Sequence, residues 1–151
     1  AEAERWAEVL AAPDAPLGRR PLDPGTDTAG RAERLSTTVD AGLTQALLGD
    51  VTAAFRAGPN DVLLTALALA IGGWRGDGGP VLVHLEGHGR EEAIRPADVS
   101  GTVGWFTSLF PVRLDPGPVT ADDLAAGGPA LGAALKRVKE QLHAVPDSGI
   151  G

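Results

Sequence analysis

The sequence predicts an α/β (α+β) fold with a mixed sheet. Short runs of strand character lie at 35–39, 81–85 and 105–114, and apolar stripes of helical period lie at 47–55, 63–74 and 131–142. The two kinds of segment do not alternate strictly, which sets the chain apart from a repeated strand–helix–strand pattern. With 151 residues it is long enough for one core or for part of a larger domain.

Taken in order, Ala3, Trp6, Val9 and Leu10 stand at helical spacing and predict a short amphipathic helix over 3–10. Residues 13–30 hold four prolines and three glycines among charged residues, the composition of an extended surface connection. Leu35, Thr37 and Val39 then alternate with Ser36, Thr38 and Asp40, which predicts a strand. Thr44 offers a helix cap, with Leu47, Leu48, Val51 and Phe55 as the apolar stripe behind it. A second helix is expected after Pro59, capped by Asn60. Its wide apolar face carries Leu63, Leu64, Leu67, Ala68, Ile71 and Trp74, and Gly76 to Pro80 end it. Val81-Leu82-Val83-His84-Leu85 reads as a compact strand, and Trp105 to Leu114 as another. Leu131, Leu135, Val138 and Leu142 mark a last helix ended by Pro146, with Lys136 and Glu140 as a solvent-side pair. The final Pro146-Asp147-Ser148-Gly149-Ile150-Gly151 reads as a turn that has been cut.

Composition narrows the function. At 43% hydrophobic and 22% charged residues, the chain has the make-up of a folded protein. A net charge of -7 without any basic run argues against nucleic acid or an anionic membrane as partner, since both need clustered Lys and Arg. Without cysteine there is no disulfide, thiolate metal site or thiol nucleophile. His84, His88 and His143 share no metal-ligand spacing beyond the His84/His88 pair, so no metal is expected. No apolar run approaches the roughly 20 residues of a membrane span. The first residues lack the basic start and apolar stretch of a signal peptide. Cytoplasmic residence is the default expectation.

The sharpest site signal is Glu86, which ends an apolar strand and shares a face with Leu82 and His84. Gly87 and Gly89 flank His88, so the backbone there can turn sharply or approach a ligand closely. A carboxylate beside apolar neighbours is suited to acid/base work through desolvation. On the residues alone, an ion pair of Glu86 with Arg90 or Arg95 is the favoured reading, because structural pairs occupy such positions. His84, inside the strand, reads as a packed or hydrogen-bonded core residue. His88 either orients the carboxylate or ties its loop to backbone. Trp105 and Phe106 are core aromatics by default, yet Thr102, Thr107 and Ser108 surround them with hydroxyls, as in the wall of a substrate channel. A triad of Ser108, His88 and Asp98 is discounted because no nucleophile elbow surrounds the serine. The glycines at 76–79 and 127–128 fit turns and no phosphate loop.

Four segments together resemble the epimerization domains of nonribosomal peptide synthetases, members of the condensation-domain superfamily. They are Asp61-Val62-Leu63-Leu64-Thr65-Ala66-Leu67-Ala68, Glu86-Gly87-His88-Gly89-Arg90-Glu91, the stretch from Thr102-Val103-Gly104-Trp105-Phe106 to Pro111, and the terminal segment from Pro146. They stand in the family's order. The second matters most, because related condensation domains lack its glutamate. The resemblance implies a chloramphenicol-acetyltransferase-like fold of two lobes flanking a channel, with residues 1–151 as the central portion of one such domain.

It further implies a cofactor-independent isomerase that inverts the α-carbon of an aminoacyl or peptidyl thioester. That substrate is carried on the phosphopantetheine arm of an upstream peptidyl carrier protein, and the remaining parts of the synthetase are partners. Glu86 becomes one acid/base, which reverses the preference for an ion pair. His88, Arg90, Trp105, Phe106, Thr107 and Ser108 become support for the loop or channel. The opposing histidine of the family's HHxxxD motif has no counterpart here and is expected before Ala1, and the later motifs beyond Gly151. By this reading the chain alone is inactive. Two positions depart from the family: Gly101 stands where Arg is usual, and Phe110 where Tyr is common. Losing a guanidinium is not neutral if it paired with a carboxylate or the pantetheine arm. The alternatives are a degenerate, non-catalytic domain that docks carrier proteins, and a peptide-bond-forming condensation domain.

Overall fold

The structure is a computed structural model that describes residues 2–11, 15–18, 20–88, 98 and 101–149. Its centre is a two-stranded antiparallel sheet of β1 (Val81–Gly87) and β2 (Ser108–Leu114). The register pairs Val81 with Leu114, Val83 with Val112 and Leu85 with Phe110 on one face. Leu82 with Arg113, His84 with Pro111 and Glu86 with Leu109 occupy the other.

The first of these faces is the core. Val112 and Leu114 are buried against Ala68 of α4 (Pro59–Arg75) and Val138 of α6 (Pro129–His143), with Leu64, Val83, Leu85, Phe110 and Leu142 packed around them. The opposite face is met at its Arg113 end. There the Arg113 guanidinium donates to the Val9 carbonyl of α1 (Glu2–Ala11) at 3.1 Å.

Between these elements run α2 (Ala41–Gln45), a π-helical stretch Ala46–Val51 and α3 (Thr52–Phe55). The expected capping residue there gives way to Asp40, whose carboxylate accepts from the Leu43 N–H at 2.9 Å. Thr44 instead bonds back to the Asp40 carbonyl. Residues 35–39 form no strand and Leu35 is 98% exposed. Alternation by itself does not make a strand where no neighbour offers a ladder.

Gly58, not Asn60, caps α4: its N–H donates to the Asp61 carboxylate at 2.7 Å, and Pro59 supplies a preset first turn. The buried stripe of α4 runs through Asp61, Val62, Thr65, Ala68 and Gly72. Leu63, Leu67 and Trp74, expected inside, are exposed. Gly72 is buried for want of a side chain: a Cβ there would stand 3.2 Å from the Gly78 Cα of the returning loop.

β2 begins at Ser108, later than the expected Trp105, and Trp105 is 89% exposed. A helix that periodicity did not reveal, α5 (Ala121–Ala126), is closed by the Thr120 and Asp123 side chains, each accepting from the other's backbone N–H. At the carboxyl end of β2, Arg137 of α6 pairs with the Asp115 carboxylate, and Gln141 both accepts from and donates to the Asp115 backbone. Lys136 lies 5.9 Å from the Phe55 ring centroid, and its expected pair with Glu140 is not among the ion pairs of the described residues.

Candidate active site

The end of the sheet opposite Asp115 opens into a cleft of about 600 Å³. One side is the first turn of α4, with Asn60, Asp61, Leu63 and Leu64; the other is the end of β1, from Leu85 to His88. Phe110 of β2 with Leu142 and Val145 completes the lining. Each part follows from local sequence. Pro59 and the Asp61 cap fix where α4 begins. The apolar run 81–85 carries Glu86 out to the last turn of the ladder.

Glu86 is exposed on the face away from the core, as strand alternation requires once Val83 and Leu85 are inside. His84 shares that face and is exposed, which corrects the expectation of a core histidine: the buried face already belongs to Val81, Val83 and Leu85. His88 follows the strand and also borders the cleft.

Trp105, Phe106, Thr107 and Ser108 are not among the residues lining this cleft. Ser108 pairs with Gly87 in the ladder, so the segment lies beside the end of β1. Phe106 is half-buried, Thr107 exposed, and the Ser108 Oγ is buried without a hydrogen-bond partner. Arg90, and with it Arg95 as a possible ion-pair partner of Glu86, lies outside the described residues.

Asp61 on the cleft lining and His143 beside it had not been assigned a role in sequence. Asp61 is buried, accepts from the Gly58 N–H, and lies 3.8 Å from the Nε2 of His143 at the end of α6. Thr65 Oγ1 donates to its carbonyl at 2.6 Å. The signal for Asp61 was legible: an acidic residue three positions after a capping residue is the mark of a helix start. Nothing local announces His143, which reaches Asp61 only because α4 and α6 pack together.

Chemically, an exposed carboxylate, Glu86, and an exposed imidazole, His88, border the cleft, and both groups can give or take a proton. Among the described residues no group of three or more His, Cys, Asp or Glu could hold a metal. No helix among them is long and apolar enough to cross a membrane.

Across residues 1–151 the sequence matches the family described as Condensation domain. The chain belongs to the condensation domain family. This condensation-family chain is 43% identical over 108 residues to gramicidin S synthase 1 of Brevibacillus brevis, a match to 72% of this chain and 9% of that protein. To surfactin synthase subunit 1 of Bacillus subtilis (strain 168) it is 37% identical over 150 residues, or 99% of this chain and 4% of that protein. These relatives belong to nonribosomal peptide synthetases, and the chain spans a small part of each. Among solved structures, it resembles the crystal structure of the epimerization domain from the third module of tyrocidine synthetase B. The TM-score is 0.70 at 32% identity, covering 98% of this chain and 30% of that one. The α/β class and the condensation/epimerization fold expected from sequence are thereby borne out.

Proposed function

We propose that this chain is the central portion of an epimerization domain, inverting the α-carbon of an aminoacyl or peptidyl thioester on the phosphopantetheine arm of a carrier protein. The observation that carries the reading is Glu86, an exposed carboxylate at the end of β1 that borders the cleft between β1 and the first turn of α4. The likeness to a solved epimerization domain supports it.

A thioester carbonyl acidifies the neighbouring C–H, and a placed carboxylate removes that proton. The C–H electron pair moves into the enolate, its charge resting on the carbonyl oxygen. Return of a proton to the opposite carbon face completes inversion, and the Glu86 carboxyl serves as base or acid according to the direction. The opposing group is assigned to the HHxxxD histidine elsewhere in the parent polypeptide. His88 and Arg90 are assigned to shaping the loop after Glu86, and Trp105, Phe106, Thr107 and Ser108 to support of that loop or of the substrate channel. The phosphopantetheine arm arrives as part of the substrate, delivered by the upstream carrier.

The test is deuterium exchange at the α-carbon of a carrier-bound aminoacyl thioester in D2O, using the full-length native polypeptide that contains these residues. Exchange that disappears with Glu86→Gln supports the reading. A folded protein without exchange, or exchange indifferent to Glu86→Gln, overturns it. The family match itself favours a second reading, peptide-bond formation between two carriers, which appears as a dipeptidyl thioester on the downstream carrier. A protein that does neither but still binds carrier is a non-catalytic docking domain, for which Gly101 is the sequence support.

A further inference from the structure

A second cavity, of about 450 Å³, lies between the π-helical stretch Ala46–Val51, α3, α4 and the start of α6. It shares no residue with the cleft beside Glu86 and owes nothing to the chemistry proposed there. Its walls are Leu47, Val51, Phe55, Leu69, Leu131 and Leu135, and none of its described lining residues is charged. Thr65 has the one polar side chain on that lining, and its hydroxyl already donates to the Asp61 carbonyl at 2.6 Å. The interior therefore offers an occupant apolar contact without a side-chain hydrogen bond, in a volume typical of small-molecule sites.

The rim at Phe55 has a different character. A Cβ on Gly132 would stand 3.1 Å from the Phe55 ring, so the ring lies close against α6. Lys136 Nζ is 5.9 Å from the centroid of that ring, and Lys139 Nζ donates to the Phe55 carbonyl at 3.0 Å. Arg56 follows in the chain and is exposed. Among the described residues none of these three cations is in an ion pair. In a chain of net charge -7, unpaired positive charge thus gathers at the edge of an uncharged apolar cavity.

We infer that this cavity binds a free, single-chain anionic amphiphile, an alkyl carboxylate, with its chain between α4 and α6 and its head at Lys136 and Lys139. The alkyl chain gains in proportion to the apolar surface removed from water. The carboxylate stays at the rim, where it keeps part of its hydration and is drawn to the two ammonium groups. A neutral head forgoes that attraction, and a cationic head is repelled. Free carboxylate is favoured over an anionic bilayer as the source, because the net negative chain is repelled by such a surface.

Calorimetry on the full-length native polypeptide tests it, with octanoate, decanoate, decanol and decyltrimethylammonium as probes below their micelle thresholds. Ala66→Phe fills the cavity from an exposed position on its lining, and Lys136→Glu reverses a charge at the exposed rim. The expected result is a saturable decanoate site that Ala66→Phe removes. Affinity should rise about threefold or more per methylene from octanoate to decanoate. Decanol should bind about threefold more weakly than decanoate, and decyltrimethylammonium more weakly still. Lys136→Glu should weaken decanoate by about threefold or more and leave decanol unchanged. Absence of saturable binding, a site indifferent to Ala66→Phe, or equal affinity for the anionic and cationic probes overturns the inference. Sedimentation with phosphatidylglycerol vesicles by a protein that does not bind decanoate also overturns it, in favour of a membrane contact. Should Ala66→Phe fail to fold, Lys136→Glu decides alone: selective weakening of decanoate supports the site, and unchanged affinity overturns it.

Discussion

Glu86 and Leu109 face each other across the β1–β2 ladder, on the side of the sheet that α4 and α6 leave uncovered. Both are exposed, Leu109 by 62%. An exposed carboxylate at this point contributes little to the core. Glu86→Gln should therefore lower α-proton exchange by about 10²-fold or more while shifting stability by no more than about 0.5 kcal/mol. Parallel exchange kinetics and denaturant midpoints on one preparation separate the two effects. A large loss of stability would show that Glu86 serves the fold.

The core makes the converse prediction. Leu114 is fully buried between Ala68 and Val138. Leu114→Ala should cost about 2–5 kcal/mol through lost burial and the cavity left behind. Urea unfolding followed by tryptophan fluorescence measures it.

Asp61 joins cap and cleft. Asp61→Ala leaves the half-buried Gly58 N–H without its partner and removes a negative charge from the first turn of α4, for a loss of about 1–2 kcal/mol. Asp61→Asn keeps an acceptor in place and should recover part of it. Equal losses in the two variants would mean that charge, not the hydrogen bond, is what matters.

Acid should loosen the opposite end of the sheet. Burial pushes the Asp115 carboxyl up, but the Arg137 guanidinium and the Gly117 N–H outweigh it and hold the carboxyl below its ordinary value of 3.8. Because the folded value is the lower one, the stabilisation is complete above the unfolded value and is lost as pH falls through the folded one. Both partners are partly exposed, so the contribution should stay below about 1 kcal/mol. Comparing unfolding midpoints for the native protein and Arg137→Gln between about pH 6 and about pH 2.5 tests it. The variant should show the shallower decline, and identical slopes would exclude the pair as the source.

Gly149 offers a last check. Its φ of +81° and its contact with the Phe110 ring leave no room for a methyl group. Gly149→Ala should displace the turn or the ring, destabilise the protein and alter exchange at the neighbouring cleft. Unfolding midpoints and exchange rates that both match the native protein would show that the turn relaxes freely.

Where local signals were strong, sequence and structure agree. The apolar run 81–85 is β1, the 131–142 stripe is α6, and Gly76 closes α4 in the left-handed conformation. The place of Glu86 near the end of β1 was legible from the strand's apolar run, while its role as an acid/base came only from the resemblance. The misses share one cause. Leu35, Thr37 and Val39 have strand alternation without a ladder, and Leu63, Leu67 and Trp74 have helical spacing on a face that the core does not cover. Pattern reports which residues share a face. It does not report what that face meets.

The sequence by itself determined the elements around the site, the position of Glu86 at a strand end, and the family resemblance carried by its motifs, because each depends on residues close in the chain. Only the tertiary structure decided that Glu86 faces away from the core, that Asp61 and His143 meet, and that Phe110, Leu142 and Leu64 floor one cleft. Those outcomes depend on how α4 and α6 share one face of a two-stranded sheet, a choice settled by competition among apolar surfaces far apart in sequence.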